Sequence, residues 1–390
     1  MSDIPFSTQA LNRRQWLLLT GATLTGCGGG ADSLLASLPG TGGTGSPLLA
    51  QGTITGFGSV ILNGIKFDVT QASVKLDGVN AASTHLRLGM VADVQAERGV
   101  DLTLGVASSI EVWSIAQGTV NQPGTNSLVV AGMSIQTSSN TVFDGVSDAS
   151  QLVSGQIVTV WGLLQSGADG SHWGATRVSV LPTATEMVSS GLIMFSNGQP
   201  TLHGLVLTGS LADSLTQGSL MRVQGLLSSD ARSLAVLSVR VLGVAALVQG
   251  SGSVEIEGFV TAVTSSSRFT LGMIEVDASN AVYTPSNPSL TVGSQVEVYG
   301  VLSAGLLNAT KVEVESEHML GQAEIKGSIT DYVSQSNFVV YGQRCDASAA
   351  SFSHGLASDL AAWNGQVKVT GTKAGDVLKV STLEFELEGS

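Results

Sequence analysis

Charge is scarce in this chain. Only 12% of its 390 residues are Asp, Glu, Lys or Arg, where a soluble domain usually carries ~25%. The 17 Lys and Arg are scattered and outnumbered by 30 Asp and Glu, for a formal net charge of −13. Polyanion binding needs clustered cations to neutralise phosphates, so nucleic acid is excluded as a partner and anionic membrane surfaces are disfavoured. Aromatic residues, at 5%, are too few for the stacking platforms that single-stranded nucleic acid requires. The two cysteines, Cys27 and Cys345, lie in unrelated contexts and argue against an internal disulfide framework.

Glycine is abundant instead, at 48 residues against a usual share of ~7%. Hydrophobic residues make up 43% and mean hydropathy is +0.31, enough apolar surface to argue against disorder. The length predicts more than one domain. Together these features fit an exported all-β protein rich in Gly, Ser, Thr, Val and Leu.

The first residues read as an address. Arg13 and Arg14 precede a short apolar stretch, Trp16 to Leu24, which falls far short of the ~20 residues needed to span a bilayer and so reads as a signal h-region. The stretch ends Leu24-Thr25-Gly26-Cys27, which resembles the bacterial lipobox. That resemblance implies cleavage before Cys27, acylation of its thiol and new N-terminus, and stable membrane anchoring by two or three chains. The Arg13-Arg14 pair resembles a twin-arginine signal, although Asn12 and Trp16 depart from the commonest residues there. Gly28 in place of aspartate implies, by resemblance to enterobacterial lipoproteins, the outer membrane. The expected segments are a signal peptide at 1–26 and a lipidated, glycine-rich tether at 27–50.

Five copies of one unit follow. Ala50-Gln-Gly-Thr-Ile54 returns as Ala116-Gln-Gly-Thr-Val120, and Glu255-Ile-Glu-Gly258 is echoed by Glu324-Ile-Lys-Gly327. The leading glycines Gly52, Gly118, Gly191, Gly258 and Gly327 are 66, 73, 67 and 69 residues apart. Second glycines, Gly64, Gly132, Gly204, Gly272 and Gly342, sit amid alternating apolar residues, a hairpin signature. A third landmark is one strand seen five times, as in Gly155-Gln-Ile-Val-Thr-Val-Trp-Gly162 and Gly293-Ser-Gln-Val-Glu-Val-Tyr-Gly300. One helical turn is expected before it and a closing strand after it. Fixed-period self-similarity marks a repeat architecture. The order of strands is that of OB-type five-stranded barrels, predicted at 51–114, 115–185, 186–248, 249–318 and 319–390. Units this small are marginal alone, so neighbours are expected to pack end to end in a row, with a flexible joint at Ala245 to Gly252.

Gly56-Phe-Gly58 looks like a phosphate loop, but Val60-Ile-Leu62 continues as strand and no Gly-Lys-Ser follows. Phosphate motifs need the loop to open a helix. The stretch Gly56-Phe-Gly-Ser-Val-Ile-Leu-Asn-Gly64, with Phe67-Asp68 and Leu88-Gly-Met-Val91, resembles a family of bacterial envelope domains of unknown function. These domains occur in tandem behind lipoprotein signals. The resemblance is sharpest over residues 52–112 and implies location and fold, but no activity.

Candidate chemistry is sparse. His85, His172, His203, His318 and His354 occupy non-equivalent places, without metal-ligand spacing, and read as solvated loop residues. Asp77-Gly78 and Asp144-Gly145 read as tight turns and lack a calcium-loop ladder. Cys345 reads as a buried small hydrophobe. Among the tryptophans, Trp113 and Trp161 read as core or seam, and Trp173, beside the polar run Ser166 to Ser171, is the candidate exposed ligand contact. No cofactor, metal or catalytic residue is assigned. The expected function is a non-enzymatic cell-envelope lipoprotein, lipid-anchored at the outer membrane and facing the periplasm or cell surface, that binds or assembles envelope polysaccharide or protein. The alternatives are a dedicated carbohydrate- or peptide-binding module and a glycan-acting hydrolase.

Overall fold

The second glycines become hairpins through backbone geometry. Asn63-Gly64, Ala131-Gly132, His203-Gly204 and Tyr341-Gly342 place both central residues at positive φ, the type I′ turn whose twist matches that of paired strands. In the fourth unit only the first residue of Gly272-Met273 does so, as in a type II′ turn. The flanking pairs Leu62↔Ile65 and Leu271↔Ile274 confirm two-residue loops.

The computed structural model describes residues 46–167, 170–242, 253–315 and 321–386, and all five units are present in it. The first runs β1 (Ser46–Phe57), β2 (Val60–Leu62), β3 (Ile65–Asp68), the hairpin β4 (Ser73–Leu76) and β5 (Val79–Ala81), β6 (Val91–Arg98) and β7 (Leu104–Val112). The second has β8 (Ala116–Pro123), β9 (Ser127–Val130), β10 (Met133–Gln136), β11 (Val142–Asp144), β12 (Ile157–Gly167) and β13 (Gly170–Leu181). The third has β14 (Met187–Leu192), β15 (Met194–Ser196), β16 (Gln199–Leu202), β17 (Leu205–Thr208), β18 (Leu220–Leu227) and β19 (Ser233–Val241). The fourth has β20 (Ser253–Ser265), β21 (Arg268–Leu271), β22 (Ile274–Asp277), β23 (Val282–Thr284), β24 (Gln295–Ser303) and β25 (Leu306–Val314). The fifth has β26 (Gln322–Ser328), β27 (Phe338–Val340), β28 (Gln343–Asp346), β29 (Ser351–Ser353), β30 (Gln366–Ala374) and β31 (Val377–Phe385). The expected helical turn is a single 3-10 turn at Ser83–His85, Ala149–Gln151, Ala212–Ser214 and Ala357–Asp359.

In the first unit β1 pairs antiparallel with β2 and β6, β2 with β3, β6 with β7, and β3 runs parallel to β7. That closes a five-stranded barrel in the OB order. The second and fourth units repeat it. In the fifth, the bridge Ile329↔Val340 completes the circuit.

Two expectations are corrected. The tether expected at 27–50 is strand from Ser46 onward, because Leu48 and Ala50 are buried and the segment pairs with β6. The five barrels are present, but the expected end-to-end row gives way to ladders that skip along the chain. The first half of β1 runs parallel to β20 through Leu48↔Ser253 to Gln51↔Ile256, and its end runs parallel to β26 at Gly56↔Glu324 and Phe57↔Ile325. The physical reason is an open edge. β2 covers one edge of β1 only from Ile54 onward and β6 covers the other only as far as Thr53, and the uncovered backbone groups need partners.

This arrangement explains the glycines of the opening stretch. A Cβ on Gly56 would lie 2.3 Å from the carbonyl oxygen of Glu324, and one on Gly58 2.6 Å from Cβ of Lys326. They admit the fifth barrel's backbone, which accounts for the element occurring only in the first copy. The cores follow the same grouping: barrels one and five share one apolar cluster with Val142 and Trp161 of barrel two, barrels two and three share another, and barrel four has its own.

Candidate functional site

One sequence position recurs at the seams between barrels. The residue before each leading glycine pairs across the sheet with a residue of the third-landmark strand. These pairs are Gln51↔Asp93, Gln117↔Thr159, Ser190↔Arg222, Glu257↔Glu297 and Lys326↔Lys368. Side chains here point out of their own barrel, since alternate neighbours such as Val94 and Val223 are buried in the cores. Most of them meet another barrel.

Three of the five pairs contribute to one cavity of about 120 Å³ where barrels one to four meet. Gln51, Asp93 and Trp113 come from barrel one, Leu163, Leu164 and Trp173 from barrel two, Arg222 and Arg240 from barrel three, and Glu257 and Ile274 from barrel four. Its walls are mostly apolar, with a few convergent polar groups, the usual make-up of a small-molecule site.

The two arginines are each matched by a carboxylate. Arg222, only 1% exposed, donates from Nε to the Ser114 carbonyl at 2.7 Å, from Nη2 to Ser114 Oγ at 3.1 Å, and pairs with Asp77 at 2.7 Å. Burial pulls its guanidinium below the usual range, and Asp77 pulls it back up. Arg240 pairs with Asp93 at 2.5 Å, and Asp93 also accepts from Gln51 Nε2 at 2.6 Å. Both guanidinium carbons lie over the Trp113 ring, at 4.5 Å for Arg240 and 5.3 Å for Arg222, within cation–π range. Glu257 accepts from the backbone N–H of Thr53 at 2.6 Å and from Gln295 Nε2 at 2.5 Å. One polar group is left over: Trp113 Nε1 is shut off from solvent and finds no acceptor among the described residues.

Beside the cavity, barrel four opposes two carboxylates, Glu257 and Glu297. Burial, then the charges of Glu315, Glu257, Glu255 and Glu313, push Glu297 well above the ordinary carboxylate range. Lys373, from barrel five, is pushed down to about 8 by burial, with Glu257 acting in the opposite sense.

Trp173 is not the exposed loop residue the polar run suggested. It lies on β13, paired with Leu164 and Ile135, and is only 9% exposed. Its apolar neighbours across both ladders draw it inward, where it forms a wall of the cavity. His172 is likewise on a strand, opposite Gln165. His203 sits in its turn with Nε2 3.0 Å from the Ser190 carbonyl, while His85 and His354 are exposed. Asp77 anchors Arg222, and Asp144 pairs with Arg177, whose Nη1 donates to the Leu88 carbonyl of barrel one at 3.1 Å. Trp161 is buried in the core that barrels one and five share, and Cys345 is buried with its thiol pushed up to about 12. Arg13, Arg14, Leu24, Gly26, Cys27, His318 and the joint at 245–252 lie outside the described residues. Among the described residues, no group of three or more His, Cys, Asp or Glu gathers to hold a metal ion.

Residues 117–179 and 257–313 match the family model of a domain of unknown function (DUF5666). These segments are the second and fourth barrels, and the Gly-Phe-Gly-Ser stretch of the first lies outside both. No curated protein matches the chain.

Proposed function

We propose that the chain is a non-enzymatic lipoprotein of the cell envelope, held at the outer membrane by acyl chains on Cys27, whose folded body works as a binding or assembly module. The observation that carries the binding part is the cavity where four barrels meet, lined by two tryptophans and by two arginines each paired with a carboxylate. Concave apolar sites with a few fixed polar groups are where small ligands bind. The anchoring part rests on Arg13, Arg14 and the Leu24-Thr25-Gly26-Cys27 sequence. Envelope polysaccharide or protein remains the partner class for the outer surfaces.

Membrane fractionation, with mass spectrometry of the N-terminal peptide, tests the anchor. An acylated Cys27 in the outer-membrane fraction, lost in Cys27→Ala, is the expected result. An unmodified Cys27 in a soluble fraction would overturn it. Hydrolysis of an envelope glycan or peptide by the purified mature chain would overturn the non-enzymatic reading.

A further inference from the structure

At one end of the first barrel, the point where the chain enters coincides with its most exposed apolar side chain. β1 begins at Ser46, opposite Arg98 at the end of β6. Two residues along, Leu48 lies beside Ser253 of β20, and Ser253 lies opposite Val301 of β24. β7, β6, β1, β20, β24 and β25 therefore form one continuous layer, in which Ser46, Arg98 and Ser303 are level with one another. Two hairpin tips share that end, one at 99–103 between β6 and β7 and one at Ala304-Gly305 between β24 and β25. Val100 is 95% exposed, the most of any large hydrophobic side chain among the described residues, and Leu102 is 54% exposed. Val301, beside the second tip, is exposed as well. Removing such surface from water is favourable in proportion to its area.

The first tip holds several of its own polar groups. Arg98 Nε and Nη2 donate to the Leu102 carbonyl at 2.9 and 2.7 Å. The Leu104 N–H donates to the Asp101 carbonyl at 3.1 Å, and the Gly99 N–H to the Leu104 carbonyl at 3.2 Å. Asp101, the one charged residue of the two tips, accepts at Oδ1 from the N–H and Oγ of Thr103 at 2.9 and 2.7 Å. A loop that leaves water for lipid must bring its backbone partners with it, because hydrocarbon supplies none. Arg98 Nη1 also lies 3.6 Å from Glu255 of barrel four, which braces the tip against the neighbouring barrel.

Where the chain comes from identifies what covers the tip. Residues 28–45 are all that separates Cys27 from Ser46, a stretch that spans about 65 Å at most. Acyl chains on Cys27 therefore hold this end of the layer within reach of the bilayer. Asp101 and the net charge of −13 fit a zwitterionic surface and oppose an anionic one.

We infer that the tip at Val100 and Leu102 is a second membrane contact, which seats its two aliphatic side chains in the interface of the zwitterionic bilayer that holds the acyl chains. This rests on the anchored reading and adds an orientation to it: the end of the layer at Ser46 faces the lipid, and the end of β1 at Phe57 points away.

The test uses the acylated mature chain in dioleoylphosphatidylcholine vesicles. Val100→Cys and Val333→Cys each carry an NBD label. Val333 is also exposed but follows β26, which runs parallel to the far end of β1. The unsubstituted chain, whose Cys345 is buried, gives the labelling background. On vesicles the label at 100 is expected to shift its emission to the blue and to be quenched several-fold more by nitroxide-bearing lipid than the label at 333. A label at Ala304→Cys should be quenched as well, and Val100→Asp with Leu102→Asp should reduce that quenching. Co-flotation of the chain with vesicles while the labels at 100 and 333 are quenched equally would overturn the tip contact and leave the anchor standing. Failure of the chain to float with vesicles would overturn both. A blue shift at 100 that grows with protein concentration in the absence of lipid would mean that a second copy covers the tip, and would overturn the lipid assignment.

Discussion

The ring of Phe57 lies flat on the ring of Tyr341, centroids 4.3 Å apart and planes 13° from parallel, so the first and fifth barrels are joined by a stacked aromatic pair. Tyr341 Oη also donates to the Ser83 carbonyl at 3.0 Å, on barrel one. Phe57→Ala removes a buried ring and is expected to cost about 3–5 kcal/mol. Tyr341→Phe removes one hydrogen bond and is expected to cost about 1 kcal/mol. Urea midpoints measure both. Equal small effects would mean that this contact does not hold the barrels together.

Arg222 is expected to be the most sensitive charged side chain at the junction. It is 1% exposed and holds Ser114 and Asp77 of the preceding chain segment against barrel three. Arg222→Met takes the cation from Asp77, which keeps its hydrogen bonds from the Ser114 N–H and Oγ, and leaves the Ser114 carbonyl without its donor; it should cost about 1–3 kcal/mol, whereas Arg222→Met with Asp77→Asn should recover part of that loss. A double-mutant cycle by chemical denaturation checks it.

Glu297 and Lys373 set opposite pH dependences. Glu297 has a folded pKa above its unfolded one, so its contribution to stability is full below the ordinary carboxylate range and is lost as pH rises through the folded value. Lys373 falls from the usual 10.5 to about 8, so its contribution is present above 10.5 and is lost as pH falls through 8. Glu297→Gln should raise stability at neutral pH and flatten the loss above the acid range. Lys373→Met should raise stability at pH 7 by on the order of 3 kcal/mol and abolish the rise between pH 8 and 10.5. Denaturation midpoints from pH 5 to 10.5 test this, and unchanged profiles would count against both assignments.

Two glycines should differ in what they tolerate. Gly64 needs positive φ but has no neighbour within 4 Å of an added Cβ, so Gly64→Ala should cost about 1–2 kcal/mol from backbone conformation alone. Gly371 sits at a bulge where a Cβ would lie 2.1 Å from the Lys379 carbonyl oxygen, so Gly371→Val must displace backbone and should cost more. Thermal denaturation ranks the two.

Cys345, 1% exposed with its thiol pushed up to about 12, should resist thiol reagents at neutral pH until the fifth barrel opens. Labelling at the rate of a free thiol in native buffer would contradict its placement.

The repeat, the hairpin turns and the barrel order were legible because each landmark glycine has a local cause. Asn63-Gly64 makes a turn, and Gly52 leaves room for it, a Cβ there lying 2.1 Å from Asn63 Oδ1. Neighbour choice was not legible, because parallel pairing of β1 with β20 and β26 depends on an edge left uncovered at long range. Nor was the cavity, whose wall residues Trp113, Trp173, Arg222 and Glu257 come from four repeats. One signal was present. In a chain where only 12% of residues are charged, Asp93, Arg222, Glu297 and Lys368 interrupt otherwise apolar strands at matching places, which marks the outer face that meets another barrel. Trp173 misled because the polar run before it suggested a loop, whereas β12 reaches Gly167 and β13 begins at Gly170, so Trp173 lies within a long antiparallel ladder.

Barrels distant in sequence interlock into one body, which is what creates the four-barrel cavity. Calorimetry of the purified mature chain tests it most directly. A single transition whose calorimetric enthalpy matches its van't Hoff enthalpy is expected. A calorimetric enthalpy several times the van't Hoff value, the signature of barrels melting independently, would contradict it.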